Sequence, residues 1–442
     1  MKFFKLTFFK TSTLAILIIL KAITSNGQSS IKSISLDDAI EAAIQNNKQV
    51  VIAKTDEAIA KSNFNQTEAI WLPNVNLSHT AYSTNNPLNV FGFKLQQAGV
   101  QQADFNPALL NNPGNFSNYN TQVALQQPII NVDALYMRKA AKAQISMYEA
   151  QTQRTTEAIK MQVVQTYLNL EFSYQYEKVT EEGLKTIRSI YKFTKDRFDQ
   201  GMMQKSDLLN VEVQVQAAEL QNSQAKSQIE NISDQLSVLM GAPKGIVYTT
   251  KAYALVNQTN SSDSVSSERS DIRALNAAVS SYEMAIKSTQ MGWIPRLNGF
   301  ANYNINDKSV TFDGAKSYMA GVQLSWDIFK GNQLNRKVAT QRLERTKVQE
   351  QLNSQLEIGA AEIRKTKRVI VDANYKIQQQ ITSVQQSEEA LRILQNRYEQ
   401  GLVSTNDILV AQTQFSQQKL LLAQAQLEQK SAINYLEFLT TK

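Results

Sequence analysis

The sequence predicts a mainly α-helical chain with a small β part, assembled from two copies of one plan. Three observations carry that prediction. The stretch Arg197-Phe-Asp-Gln-Gly201-Met-Met-Gln-Lys-Ser-Asp207-Leu-Leu209 returns 200 residues later as Arg397-Tyr-Glu-Gln-Gly401-Leu-Val-Ser-Thr-Asn-Asp407-Ile-Leu409. From about Asp133 to Asp199, and from about Asn332 to Glu399, there is no Pro and little Gly, so each stretch can run as one long helix. Four short segments alternate polar and apolar residues with a period of two.

The N-terminus reads as an export signal rather than as part of the fold. Lys2, Lys5 and Lys10 precede the apolar run Leu14 to Leu20, and Ser25-Asn26-Gly27 offers small residues for cleavage. Removing residues 1–27 takes away four Lys and no acid, which lowers the formal charge from +7 to +3. The basic balance is therefore largely a property of the signal and implies no nucleic-acid partner. The chain has no Cys, which excludes disulfides, Cys-based metal sites and a lipidated N-terminal Cys.

Each half reads in the same order: helix, two alternating segments, very long helix, tip, helix. Ser35-Leu-Asp-Asp38 resembles a capping box opening a helix to about Ile70, and Trp71-Leu-Pro73 stops it. Trp293-Ile-Pro295 is the matching stop in the second half. The mature chain then divides into a first repeat over 28–256, a Ser-rich polar linker over 257–270 after Gly241-Ala-Pro243, and a second repeat over 271–442.

After each Pro the strands begin. Val75, Leu77 and Ala81 alternate with Asn74, Asn76, Ser78 and Thr80, and their partners are Tyr119, Thr121, Val123 and Leu125. Leu297, Gly299, Ala301, Tyr303 and Ile305 pair in the same way with Tyr318, Ala320, Val322 and Leu324. These are hairpins on a soluble helical domain, or they are membrane strands, since about nine to eleven residues is the length a tilted spanning strand needs. No apolar run beyond the signal suffices for a spanning helix, so only a barrel could cross a membrane. Four strands cannot close a barrel, and edge satisfaction then requires several copies; two would pool eight strands and three would pool twelve. Trp71, Trp293 and Trp326 all fall where strand meets helix, the place of an interfacial aromatic belt, although core packing would also account for them.

The helices after the tips carry coiled-coil seams. One runs Leu208, Val211, Val215, Ala218, Asn222, Ala225, Ile229, Ile232, Leu236 and Leu239, and the other runs from Ile408 through Phe415 and Leu422 to Leu439. A helix of about 67 residues is roughly 100 Å long, and two helices of about 35 residues laid end to end match it. Each half thus becomes a two-layer wall with a hairpin at one end and the tip at the other.

In these features the chain resembles the TolC-type outer-membrane efflux proteins. The resemblance rests on the two halves, the Trp-x-Pro stops, the strand pairs and the Arg-[Phe/Tyr]-x-x-Gly tips, and it covers nearly all of the mature chain. It implies a homotrimer with a twelve-stranded barrel in the outer membrane of a Gram-negative-type envelope and a helical tunnel through the periplasm. The implied partners are a periplasmic adaptor, an inner-membrane transporter and outer-membrane lipid. Asp407 matches a constriction acid, while Val410 stands where the family pattern has a second one. Tyr398 and Asp207, with Ser206 beside them, match a latch between hairpins whose Arg is replaced here by Val403.

Plainer roles remain open for the same residues. Arg197 and Arg397 suit the negative ends of their helices, Asp207 and Asp407 suit first turns, and Gly201 and Gly401 suit positive φ. Met202, Met203, Leu402 and Val403 fit either an adaptor contact or local packing. His79, the one His, has no second ligand residue beside it for a metal site. No phosphate loop, nucleophile elbow or metal cluster is present, so neither an enzyme nor a cofactor is expected. Trp71 and Trp293 are 222 positions apart and the tip glycines 200, which leaves about 22 extra residues in the loop from Ser83 to Asn118. In a barrel that loop faces outward and reads as a lip or lid. The alternative function is a structural or adhesive coiled coil, which would gather its strands in one terminal anchor.

Overall fold

The computed structural model describes residues 30–251 and 264–441. The export segment 1–27 lies outside them, as do residues 257–263 of the linker expected over 257–270. The first half runs β1 (Ser30–Ile34), α1 (Leu36–Asn46), α2 (Lys48–Gln66), a 3-10 turn over Thr67–Ile70, β2 (Asn74–Thr84), α3 (Pro87–Gln96), a 3-10 turn over Gln102–Phe105, α4 (Pro107–Asn111), β3 (Phe116–Ile130), α5 (Val132–Asp199), α6 (Lys205–Met240) and β4 (Ile246–Thr250). The second half runs α7 (Ser270–Met291), β5 (Arg296–Asp307), β6 (Ala315–Ser325), α8 (Gln333–Glu399) and α9 (Thr405–Thr440). The fold is mainly helical with few strands, as the sequence indicates. No described helix is long and apolar enough to cross a membrane.

The chain forms two compact units, Met1–Ala53, Thr152–Arg269 and Leu356–Lys442 in one and Lys54–Gln151 and Ser270–Gln355 in the other. In the first unit, none of the ten seam residues of α6 is exposed, and Val211, Ala225 and Leu236 are fully buried. α9 departs from the narrow stripe: Leu409, Gln412, Ala423 and Asn434, all off its seam, are buried as well.

The helix expected to run unbroken to Ile70 is interrupted at Asn47, where the backbone turns extended (φ −63°, ψ 129°). The reason lies in the Asn47 side chain. Its Nδ2 donates to the Leu239 carbonyl at 2.9 Å, and its Oδ1 accepts from the Gln49 N–H at 2.9 Å, so it caps α2 while tying α1 to α6. Ser35 caps α1 as its motif predicts, accepting from the Asp38 N–H at 3.2 Å. The matching helix in the second half, α7, has 22 residues rather than about 35.

Besides the four strands anticipated from the sequence, β1 and β4 form a separate two-stranded parallel sheet. Tyr167 and Tyr174, seven apart on one face of α5, hold it. The Tyr167 hydroxyl lies 3.1 Å from the Ile34 carbonyl and accepts from the Lys251 N–H at 2.8 Å, and Tyr174 donates to the Tyr248 carbonyl at 2.8 Å. Burial pushes both phenols above their ordinary pKa.

The second unit holds the antiparallel sheet, in the order β2-β3-β5-β6. β2 pairs with β3 from Asn74↔Gln126 to Thr84↔Phe116, and β5 with β6 from Arg296↔Ser325 to Asn306↔Ala315. β3 and β5 join the two hairpins edge to edge, with an irregularity between Pro128 and Ile130 where Pro removes a donor.

Candidate functional site

Two arrangements in the chain bear on function: the faces and edges of the four-stranded sheet, and the paired helical tips. The register puts Leu77, Val123, Tyr303 and Tyr318 in one row across the sheet, with Val75, Leu125, Ala301 and Ala320 in the next but one. The opposite face is lined by Asn76, Ser78, Asn120, Gln122, Asn302 and Asn304. The apolar face is exposed: Leu77 is 70% exposed, Tyr318 83% and Leu324 67%. A sheet face of this kind is stable in hydrocarbon rather than in water. β2 and β6 also present unpaired edges within this chain.

Trp71, Trp293 and Trp326 flank one and the same end of the sheet, just before β2, just before β5 and just after β6. All three are exposed, and Trp326 Nε1 donates to the Trp293 carbonyl at 3.0 Å. The core-packing alternative does not account for such exposure.

At the tips, each long helix ends in a Schellman turn. Met202 N–H donates to the Arg197 carbonyl and Leu402 N–H to the Arg397 carbonyl, both at 2.9 Å, with Gly201 at φ +73° and Gly401 at φ +76°. The apolar turn residues split. Met203 and Val403 pack onto a core of Ile190, Val211, Leu391 and Ile408, while Met202 and Leu402 remain 70% and 62% exposed.

Tyr398 is buried in that core, and its hydroxyl partners lie within the same chain. Thr194 donates to the Ile190 carbonyl (2.8 Å), so Tyr398 must donate to Thr194 (2.7 Å) and accept from Thr405 (3.1 Å). No hydrogen bond joins Tyr398 to Asp207 among the described residues. Ser206 donates to Gln204 Oε1 at 3.3 Å.

Asp407 is exposed and closes a capping box: its Oδ2 accepts from the Ser404 N–H (3.0 Å) and hydroxyl (2.7 Å), and Ser404 Oγ accepts from the Asp407 N–H. The Ser404 hydroxyl, and then its N–H, hold the Asp407 carboxyl below the ordinary pKa of 3.8. The first tip has no such box, because Gln204 at its N-cap makes no side-chain cap bond.

Arg197 does more than complement its own helix. Its Nη2 donates to the Glu399 carbonyl at 2.8 Å, and its guanidinium lies 4.5 Å from the Phe193 ring centroid. Arg397 is exposed and has no equivalent bond among the described residues. Thr194, Thr405, Phe193 and Ser404 escaped the sequence reading. Ser404-x-x-Asp407 was legible as a capping pattern, whereas nothing local marks Thr194 as a partner of a residue two hundred positions away.

Two very long helices, two hairpin tips and a four-stranded antiparallel sheet with an exposed apolar face define the class of fold. The chain belongs to the outer membrane efflux protein family, whose model matches residues 39–242 and 262–441. Its fold is similar to that of the Campylobacter jejuni CmeC outer membrane channel, with a TM-score of 0.77 and 17% identity over 91% of this chain and 85% of that one. The outer membrane protein VceC of Vibrio cholerae is similar too, with a TM-score of 0.74 and 17% identity over 91% of this chain and 95% of that one. In sequence the chain is 20% identical over 257 residues to the alkaline protease secretion protein AprF of Pseudomonas aeruginosa, a match spanning 54% of this chain and 53% of that relative.

Proposed function

We propose that the chain is the exit duct of an efflux or type I secretion assembly: a passive homotrimer in the outer membrane, engaged by a periplasmic adaptor and an inner-membrane transporter. The observation that carries this reading is the exposed apolar sheet face between two open edges. β2 and β6 run in opposite directions, so β6 of one copy can pair antiparallel with β2 of the next. Twelve strands from three copies close a barrel with its polar face inward, and the exposed indoles mark its boundary with the helical tunnel.

The repeats over 28–256 and 271–442 each supply one hairpin and one tip. At the tips, exposed Met202 and Leu402 are the side chains an adaptor would cover, while Met203 and Val403 stiffen the turn from inside. Arg197, Gly201, Arg397 and Gly401 shape those turns. Exposed Asp407, one per copy, supplies a ring of carboxylates at the constriction, and Tyr398, Asp207 and Ser206 line the hairpin junction. With Val403 packed inward and Val410 exposed, the lock lacks the charged members of the family pattern. Similarity to the Pseudomonas secretion protein supports secretion, and membership of the outer membrane efflux protein family supports efflux.

Planar-bilayer recording of the purified protein tests the duct directly. The expected result is discrete conductance steps that rise in size or frequency with Asp407→Ala. Silence of both the parent and Asp407→Ala, in a preparation shown to be inserted, sinks the reading.

A further inference from the structure

The long loop between β2 and β3 is folded, and it is folded onto one particular face of the sheet. Asn86 opens α3 by accepting from the Leu88 and Asn89 N–H groups, with Pro87 at the first helical position. From α3, Gln97 reaches the sheet: its Nε2 lies 3.0 Å from the Ser117 carbonyl, 2.9 Å from Asn118 Oδ1 and 3.1 Å from the Asp307 carbonyl. Phe93 meets Tyr82 with ring centroids 5.4 Å apart. Tyr82, Asn118 and Asn306 all belong to the polar face, where Asn118 Nδ2 donates to Asn306 Oδ1 at 3.1 Å. These two Asn residues are buried, although they lie on the face that carries the sheet's other amides.

The segment has its own internal bracing. Lys94 pairs with Asp104 at 2.6 Å, and Phe91 meets Phe105 edge-on at 5.7 Å. Phe93 on α3 and Gln97 at its C-cap share the side toward the sheet, so Leu88 and Leu95 fall on the opposite side by helical periodicity. Leu88 is 80% exposed, and Phe105 and Leu109 are exposed with it. Gln97 Oε1 is buried with no hydrogen-bond partner in the structure. Docking therefore strands an acceptor that water would satisfy once the segment lifted away.

We infer that residues 85–115 form a lid over the polar face at the end of the sheet away from the indoles, and that this lid restricts the outer mouth of the duct. The inference rests on the proposed barrel, in which the polar face is the inner one. A segment lying on that face stands in the passage. Its outward apolar side, led by Leu88 and Leu95, presents to the passage a surface that resists water and ions. The docked state is held by Gln97, by the Phe93–Tyr82 contact and by Lys94 over the Phe116 ring, so it can open without unfolding the strands. The second hairpin has only a short loop and cannot do the same.

The experiment is planar-bilayer recording of the full-length protein, carried out in three forms. One is the parent, one replaces residues 87–111 by a short Gly-Ser linker, and one is Gln97→Ala, which removes the lid's anchor but none of its bulk. A severalfold larger unitary conductance for the linker form, with Gln97→Ala shifted the same way, is the expected result. A conducting parent whose unitary conductance neither change alters overturns the lid and leaves the duct standing. Absence of conductance in all three overturns the duct, and the lid with it. Should the linker form fail to assemble, Gln97→Ala alone decides: an increase supports the lid, and parental conductance overturns it.

Discussion

The Arg197 guanidinium donates to the backbone carbonyl of Glu399 at 2.8 Å, so a side chain from the first tip caps the last turn of the helix leading to the second. Gly401 is the residue that lets it approach, since a Cβ there would stand 3.0 Å from Arg197 Nη1. The corresponding Cβ on Gly201 would meet nothing within 4 Å. The two copies of the motif have diverged in what they touch while keeping one backbone shape.

A pair of substitutions separates these roles. Gly201→Ala bears only the strain of a left-handed Ala, about 1–3 kcal/mol. Gly401→Ala adds displacement of Arg197 from its carbonyl and is expected to lower the unfolding midpoint further. Equal shifts for the two variants in denaturant melts would show that the Arg197 bond contributes nothing.

Tyr398→Phe removes the donor to Thr194 and the acceptor for Thr405 inside a buried core. Leaving such groups unsatisfied costs about 1–3 kcal/mol. Amide hydrogen exchange should quicken across the last turn of α8 and the first turn of α9, with little change in the sheet. Exchange at parental rates in both turns would contradict the assigned network.

The capping box gives the second tip a specific response to acid. Because the folded-state pKa of Asp407 is depressed, its contribution is present above the ordinary value of 3.8 and disappears as pH falls through the lowered folded value. Fraying of the first turn of α9 is therefore expected below about pH 4. Backbone NMR or pulsed exchange of that turn follows it, and Asp407→Ala should fray it already at neutral pH.

Gly359 lies in the interior of α8, where exchanging Gly for Ala ordinarily stabilises a helix by about 1 kcal/mol. Here the opposite is expected. A Cβ would stand 2.8 Å from Val265 Cγ2 and 2.9 Å from Arg269 Nη1, and Arg269 is fully buried. Overpacking of this kind costs about 1–3 kcal/mol. A raised melting temperature for Gly359→Ala would refute the contact.

Local chemistry made much of this fold legible. The absence of Pro set the lengths of α5 and α8, period-three-and-four spacing marked the seam of α6, and period-two spacing marked all four strands of the larger sheet. What escaped was nonlocal. β1 is five residues whose partner begins at Ile246, and Asn47 breaks its helix because Leu239 offers a carbonyl. The lid helix carried its own signal, Asn86 followed by Pro87, yet its place among the extra residues between two strands reads as loop. At the tips, sequence singled out Tyr398 and Asp407 but not the groups they touch. Ser404 sits three residues before Asp407 in a local capping box, whereas Thr194 acquires meaning only when helices distant in sequence are brought together.

The central claim is that the apolar face of the sheet meets lipid and the polar face meets water. The chain has no Cys, so single cysteines report without a background. Val75→Cys and Leu77→Cys on one face, and Asn76→Cys and Ser78→Cys on the other, would be placed in native outer membranes. A charged water-soluble thiol reagent and a lipid-soluble one would then be applied to each. Strict alternation is the predicted result, with positions 75 and 77 labelled from lipid and positions 76 and 78 from water. Equal labelling of all four by the water-soluble reagent would contradict the account.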